Sequence, residues 1–300
     1  MRALQEQIDH FLTELSSRHR LSPNTADAYR RDLRLYLRFL HETCGIRSWS
    51  EVTELVLMRY LYRLRDQKRS TATIARKMVS IRSFHHYLTR HRLQSTDPSV
   101  SVRAPKTPRR AADILTVTEI DRMIDATAGE GPEAIRDRAM LEMLYATGMR
   151  VSELVGLMLD DLNLTLGFVR CRGTRGKERI VPIGAPAREA AERYITAVRR
   201  AEPGEQHVFL NVRKRGLTRQ GVWKIIKKYA AKANIERPLS PETIRQSLTA
   251  HLLERGADAE SVEELMGRST PPLYERFPNR MKPRLQDVYA HCHPRAGKKK

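Results

Sequence analysis

The spacing of apolar residues changes along this 300-residue chain, and the change sets its fold class. In segments such as TIARKMVSIRSFHHYL, apolar side chains recur every three or four positions, which is typical of helices that bury one face. Residues 167–184, GFVRCRGTRGKERIVPIG, instead alternate with a period of two around a glycine-bounded turn. This stretch predicts a β-hairpin. The sequence therefore predicts a mainly α-helical protein with one small β-sheet.

Composition divides the chain into two domains and a linker. Residues 1–102 show the spacing of roughly four helices and are predicted to form an all-α domain. Residues 103–112 contain prolines, arginines and a lysine, and are predicted to be an extended basic linker, although a merely solvated tether fits the same composition. Residues 113–300 are predicted to form an α+β domain that contains the hairpin. Both domains are long enough to bury a core.

Hydroxyl-containing residues mark the predicted helix starts. One helix is predicted to begin at Ser22–Pro23, one at Ser50, and one at Thr116 or Thr118, where acidic residues follow in the first turn. In the segment from residue 71 to residue 92, Ile74 and Phe84 belong to the predicted core face. The opposite, basic face is predicted to carry Arg76, Lys77, Arg82, His85 and Arg90.

The net charge of the chain indicates what kind of partner it binds. The chain has 55 Lys and Arg residues against 35 Asp and Glu residues, a formal net charge of +20. On a folded chain this excess favours nucleic acid as partner, because binding to phosphates releases counterions, although a generally basic soluble protein has the same balance. Cys44, Cys171 and Cys292 are far apart in the sequence, so neither a disulfide framework nor a zinc site is expected. The amphipathic start and the lack of a long apolar run predict a cytoplasmic protein with no membrane segment.

Seven segments together resemble one family. In chain order they are LSPNTADAYRRDLRLYLRFL, TIARKMVSIRSFHHYL, ATGMRVSELVGL, GKERIVPIG, LTAHLLERGAD, VEELMG and HPRA. They are similar to the tyrosine recombinases, and within that family to the bacterial Xer-type site-specific recombinases. The resemblance implies an N-terminal core-binding domain and a C-terminal catalytic-type domain that encircle double-stranded DNA in the nucleoid. It also implies a tyrosine that attacks a backbone phosphate, with no metal or other cofactor.

The resemblance assigns two arginines to phosphate binding. Arg150, in TGMRVSEL, stands at the first phosphate-binding arginine of the family, and Arg245 stands at the arginine of its HxxR element. A planar guanidinium can donate two parallel hydrogen bonds to phosphate oxygens, which a lysine cannot do. Both family arginines are therefore retained.

The other family positions are substituted. Thr174 stands at the catalytic lysine of the hairpin turn, and Lys177 or Arg175 could take the place of that lysine. Arg268 stands at the second histidine, where it could bind phosphate but could not exchange a proton near neutral pH. Glu242 stands at the first residue of HxxR.

Glu242 is expected to oppose phosphate binding. Its carboxylate would repel a phosphate, or it could form an i, i+3 ion pair with Arg245 and weaken that cation. It could act as an acid only if it retained a proton near neutral pH.

The nucleophile position holds Phe277, counted without gaps from Arg245 to HPRA. A phenylalanine ring has no oxygen, so no phosphotyrosine can form there. Tyr274, three residues earlier, is the substitute considered, although a misplacement of about 1 Å can cost about a hundredfold in rate. Tyr289 fits a core or partner-contact role.

The sequence thus predicts a Xer-like DNA-binding protein, associated with site-specific recombination or integration, that cannot cleave DNA itself. An active recombinase that uses Tyr274, and a basic architectural or RNA-binding protein, are the alternatives. Predicted DNA contacts are Arg76, Lys77, Arg82 and Lys177. The C-terminal segment, with Leu285, Val288 and Tyr289, is predicted either to dock on a second copy or an active relative, or to pack on its own domain.

Overall fold

Helices build most of the protein. The computed structural model describes residues 2–19, 23–105, 113–173, 178–200, 202–267 and 285–296. The chain divides into two units, Met1–Arg110 and Ala111–Lys300. The one sheet of the described residues is three-stranded, so the predicted mainly helical fold with a small sheet is confirmed. Within the same residues no helix is long and apolar enough to cross a membrane.

The first unit is all-helical, with a short 3₁₀ turn between its second and third helices. Its helices are α1 (Arg2–His19), α2 (Pro23–Cys44), α3 (Glu54–Asp66) and α4 (Thr71–Arg90). The prediction that a helix starts at Ser50 is wrong, because Ser50 lies within the 3₁₀ turn Trp49–Glu51. The N-cap of α3 is Thr53, whose hydroxyl accepts a hydrogen bond from the Val56 N–H.

The core of the first unit forms where α2 meets α4. Tyr36 and Leu40 of α2 and Ile81 and Phe84 of α4 are all fully buried, and the predicted core face of α4 is confirmed. The predicted basic face is partly wrong, because His85 is also fully buried. Its ring nitrogens lie 3.1 Å from the Tyr36 hydroxyl and 2.8 Å from Gln94 Oε1.

Lys77 lies in the interior as well. It is only 5% exposed, and its ammonium donates to Asp32 Oδ1 at 2.9 Å. A buried charge of this kind requires a compensating partner, and Asp32 of α2 supplies it. The placement of Lys77 on the exposed face is therefore wrong.

The second unit surrounds a core in which α6 is buried on almost every side. Its helices are α5 (Val117–Asp125), α6 (Pro132–Thr147), α7 (Val151–Val155), α8 (Ala185–Arg193), α9 (Arg219–Lys232), α10 (Pro241–Glu254), α11 (Ala259–Met266) and α12 (Leu285–Cys292). Its strands are β1 (Leu162–Asn163), β2 (Phe168–Arg172) and β3 (Glu178–Pro182). They pair antiparallel in the order β1-β2-β3, with Val169 opposite Val181. The predicted hairpin is therefore present.

Helix α12 packs on its own unit. Leu285 and Val288 contact the core, and Tyr289 is 4% exposed. The Tyr289 hydroxyl accepts a hydrogen bond from the Gly184 N–H at 3.0 Å. These contacts show that the segment packs on its own domain, whereas docking on a second copy or an active relative stays a prediction.

The residues after α12 anchor the C-terminal segment further. Arg295, 8% exposed, donates to Asp121 Oδ1 at 2.5 Å and to Glu142 Oε1. The His293 ring stacks on the Tyr289 ring with centroids 4.4 Å apart. Arg295 thus connects the HPRA motif to α5 and α6.

Candidate phosphate-binding site

The turn between α6 and α7 presents Arg150 to solvent. Gly148 ends α6 in the left-handed conformation, with φ of 54°, and Arg150 is the N-cap residue of α7. The Arg150 main-chain nitrogen donates to Glu153 Oε2 at 2.7 Å, and its Nη1 donates to Glu153 Oε1 at 3.1 Å. The Arg150 side chain is 43% exposed, so a phosphate can reach its guanidinium.

Glu153 lies behind Arg150 and binds a second arginine. Its side chain is 2% exposed and accepts hydrogen bonds from Arg179 Nη1 at 2.8 Å and Arg179 Nη2 at 3.0 Å. Burial acts to raise the pKa of Glu153, but the hydrogen bonds and charge of Arg179, with those of Arg150, lower it overall. Glu153 is therefore a carboxylate at neutral pH.

Arg245 of α10 lies deeper in the same cluster. It is 2% exposed, and its terminal nitrogens donate to the main-chain oxygens of Gly148 and Met266. Burial, followed by the charges of Arg150 and Arg179, lowers the pKa of Arg245 to about 10, so the side chain remains protonated at neutral pH. The structure brings Arg150 and Arg245 into one cluster, but Arg150 has far more exposed surface.

The backbone is shaped for this arrangement at Gly148. A Cβ atom added there would lie 2.8 Å from the Met266 side chain and 3.0 Å from Leu248. The positive φ disfavours any residue with a side chain, and the Met266 side chain would also have to move to make room for a Cβ atom. The glycine of TGMR therefore lets the turn lie against the end of α11.

Glu242 lies exposed in the first turn of α10. The ion pair with Arg245, one of the two effects considered for Glu242, is not formed. No salt bridge joins these two described residues, and the Arg245 guanidinium donates to main-chain oxygens instead. The charge of Glu242 acts on Arg245 only as a small contribution that raises its pKa. The arginine cluster is thus not neutralised by Glu242.

Six residues of the predicted site lie outside the described residues. They are Thr174, Arg175, Lys177, Arg268, Tyr274 and Phe277. Their assignments stay predictions from the sequence.

The predicted DNA contacts on α4 differ in accessibility. Arg76 binds Asp32 but keeps a side chain that is 47% exposed. Arg82 is exposed, and its Nη2 donates to the Val102 main-chain oxygen at 2.7 Å. Lys77 is buried against Asp32, which conflicts with a direct contact to DNA.

Sequence reasoning missed a basic helix face. Helix α9 buries Val222, Ile226 and Tyr229, and its outer side carries Arg219, Lys224, Lys227, Lys228 and Lys232. Trp223 is 42% exposed on that side, with the Lys227 ammonium 5.2 Å from its ring centroid. The lysines that recur between apolar positions in VWKIIKKYAAK could have revealed this face.

Glu153 and Arg179 were also missed. Glu153 follows Arg150 by three positions, the spacing that brings helical side chains together. Arg179 and the buried Val181 are two positions apart in β3. Their side chains therefore lie on the same, inner face of the strand. Both signals are local: they indicate the face on which each residue lies, but not that the two residues pair.

Comparison with known proteins identifies the family. The profile described as Phage integrase family matches residues 113–271, and the profile described as Phage integrase, N-terminal SAM-like domain matches residues 8–92. The chain belongs to the phage integrase family.

Relatives of this chain carry a more specific name. Tyrosine recombinase XerD of Halalkalibacterium halodurans is 43% identical, over 99% of this chain and 100% of the relative. Tyrosine recombinase XerD of Oceanobacillus iheyensis is 41% identical, over 98% of this chain and 100% of the relative. The resemblance to Xer-type tyrosine recombinases is confirmed.

Solved structures share the fold. A λ integrase dimer bound to a COC′ core site matches with a TM-score of 0.70 and 15% identity, over 88% of this chain and 94% of that chain. The integrase of transposon Tn1549, in complex with circular intermediate DNA, matches with a TM-score of 0.70 and 17% identity, over 92% of this chain and 96% of that chain. At this identity the likeness concerns the fold.

Proposed function

We propose that this chain is a Xer-like DNA-binding protein that acts in site-specific recombination or integration and does not cleave DNA itself. One contrast carries the proposal. The exposed cation at the family's phosphate site, Arg150, is retained and held by a buried carboxylate, whereas the position of the tyrosine nucleophile holds Phe277.

The net charge and one basic helix face support DNA as the partner. The chain has a formal net charge of +20, and α9 exposes a run of basic residues beside Trp223. Electrostatic attraction to phosphates and stacking of an aromatic ring are both used to bind nucleic acid. The integrases that share this fold were solved on DNA.

Three buried tyrosines of the second unit are unsuited to act as a replacement nucleophile. Tyr145 and Tyr229 are each 1% exposed, and Tyr289 is 4% exposed. Their hydroxyls form hydrogen bonds inside the protein, and burial raises the pKa of each, which disfavours the phenolate. A nucleophile for phosphate must be accessible and activated. The substitutions at Glu242 and Arg268 also remove the two histidines that would move protons.

We infer that a chain that binds DNA without cleaving it acts through assembly on DNA. Such a protein would occupy a recombination site beside an active relative, or associate with itself. Similarity over 99% of the chain to a protein named tyrosine recombinase XerD supports this role, because it extends through both predicted domains.

Arg150→Ala is expected to weaken binding to DNA. The probe is a duplex selected by the wild-type chain from a random pool. Loss of one phosphate contact should lower the slope of log K against log salt by about 0.9, with several-fold weaker binding at moderate salt. Fluorescence anisotropy at several salt concentrations measures this slope.

Arg2→Ala is the control for that measurement, since the Arg2 side chain is 96% exposed in the first turn of α1. It should leave the slope unchanged. Equal slopes for wild type and Arg150→Ala would show that Arg150 contacts no phosphate.

A further inference from the structure

Arg179 joins two segments that form the candidate site. Its Nε donates to the main-chain oxygen of Leu265 at 2.8 Å, at the end of α11. Its two terminal nitrogens donate to Glu153 in α7. The side chain is 12% exposed, and Glu153 compensates its charge. Arg179 therefore acts on its protein neighbours rather than on a ligand.

Glu153 transmits this constraint to Arg150. The paired hydrogen bonds from Arg179 fix the plane of the Glu153 carboxylate. The same two oxygens accept from the main chain and the side chain of Arg150. Without Arg179, the buried carboxylate would depend on Arg150 for charge compensation and would draw its guanidinium inward, away from solvent.

The surroundings of Arg179 are built to hold it in place. In the strand register it lies opposite the buried Cys171, while Glu178 and Ile180 on either side of it are exposed. Gly267 has φ of 60°, and a Cβ atom added there would lie 3.0 Å from Arg179 Cδ and Nη1. The backbone after α11 therefore leaves room for this side chain.

We propose that Arg179 is a positioning residue, which holds Arg150 in the orientation that binds a DNA phosphate. The proposal rests on the DNA-binding function proposed above and deepens it. It assigns a role to a residue outside the positions that the family resemblance selects.

Arg179→Lys tests the proposal, because lysine keeps the charge but its single nitrogen cannot replace the planar guanidinium that reaches Leu265 and both Glu153 oxygens. On the selected duplex this variant should bind as weakly as Arg150→Ala. The slope of log K against log salt should become less steep by about 0.9, the value for one phosphate contact. The double variant should bind no more weakly than Arg150→Ala alone, since both changes remove the same contact. Binding is measured where circular dichroism shows each variant folded.

Arg170→Lys is the matched control on the neighbouring strand, where the side chain is 42% exposed. It should bind like wild type. If Arg179→Lys does not fold, Glu153→Asp takes its place. Aspartate keeps the charge, but its shorter side chain would displace the carboxylate that binds Arg150. The salt dependence of binding should then decrease by the same amount.

Two results would overturn the proposal while leaving the proposed function intact. One is wild-type binding by a folded Arg179→Lys variant when Arg150→Ala is weak. The other is additive losses in the double variant, which would mean that Arg179 contacts DNA by itself. If Arg150→Ala binds like wild type, the phosphate contact itself is wrong and the positioning role falls with it.

Discussion

Arg245→Met is expected to lower the free energy of unfolding by about 3–5 kcal/mol. The main-chain oxygens of Gly148 and Met266 would both lose their donor inside the protein. Each buried oxygen left without a partner costs about 1–3 kcal/mol. The variant would also lose a link between the α6–α7 turn and α11. Urea unfolding, followed by circular dichroism at neutral pH, measures the loss.

Glu242→Gln is the control for that variant. It changes a charge on the same helix, but Glu242 is exposed, so stability should change by less than about 0.5 kcal/mol. A loss below about 1 kcal/mol for Arg245→Met would mean that the two hydrogen bonds of Arg245 contribute little to stability.

Arg295→Met is expected to lower the free energy of unfolding by a similar amount, about 3–5 kcal/mol at neutral pH. It leaves the buried Glu142 carboxylate without the guanidinium that compensates its charge. The Glu142 side chain is 2% exposed, and burial already raises its pKa despite the charge of Arg295. Without Arg295 that pKa should rise further. A carboxyl group whose pKa is higher in the folded than in the unfolded state destabilises the fold as pH rises and the group ionises. The loss of stability caused by Arg295→Met should therefore become smaller as pH falls towards 5.

The double variant Arg295→Met/Glu142→Gln separates charge from packing. Removing the buried carboxylate should recover a large part of the stability at neutral pH and flatten the dependence on pH. If the double variant is as unstable as the sum of the single variants, the Arg295–Glu142 contact does not account for the cost.

Element types followed from local patterns in the sequence. The two glycines around the turn and the alternation of Val169 and Val181 predicted the hairpin, and the spacing of Ile74 and Phe84 predicted the core face of α4. These features are determined by neighbours in the sequence, so a single chain reveals them. The N-terminus of α3 was missed because Ser50 and Thr53 both have capping side chains, and only the backbone shows which one caps the helix.

Partners of polar residues could not be predicted in the same way. Lys77 is buried because Asp32, 45 positions earlier in the chain, lies against it. Arg245 donates to main-chain oxygens because Gly148 and Met266 are brought to it from other elements. Helical spacing shows which face a residue occupies but not which distant group meets it there. The same reason explains why the Glu153–Arg179 pair was found only in the structure.

The absence of cleavage is the central claim, and trapping on a suicide duplex tests it most directly. Wild-type protein is incubated with a nicked duplex made from the selected sequence, and covalent adducts are resolved on a denaturing gel. The XerD relative from Halalkalibacterium halodurans is run in parallel on a duplex selected by that protein. We expect no adduct with this chain at any time point. A protein–DNA adduct that disappears in Tyr274→Phe, or in any other single tyrosine variant, would contradict the claim.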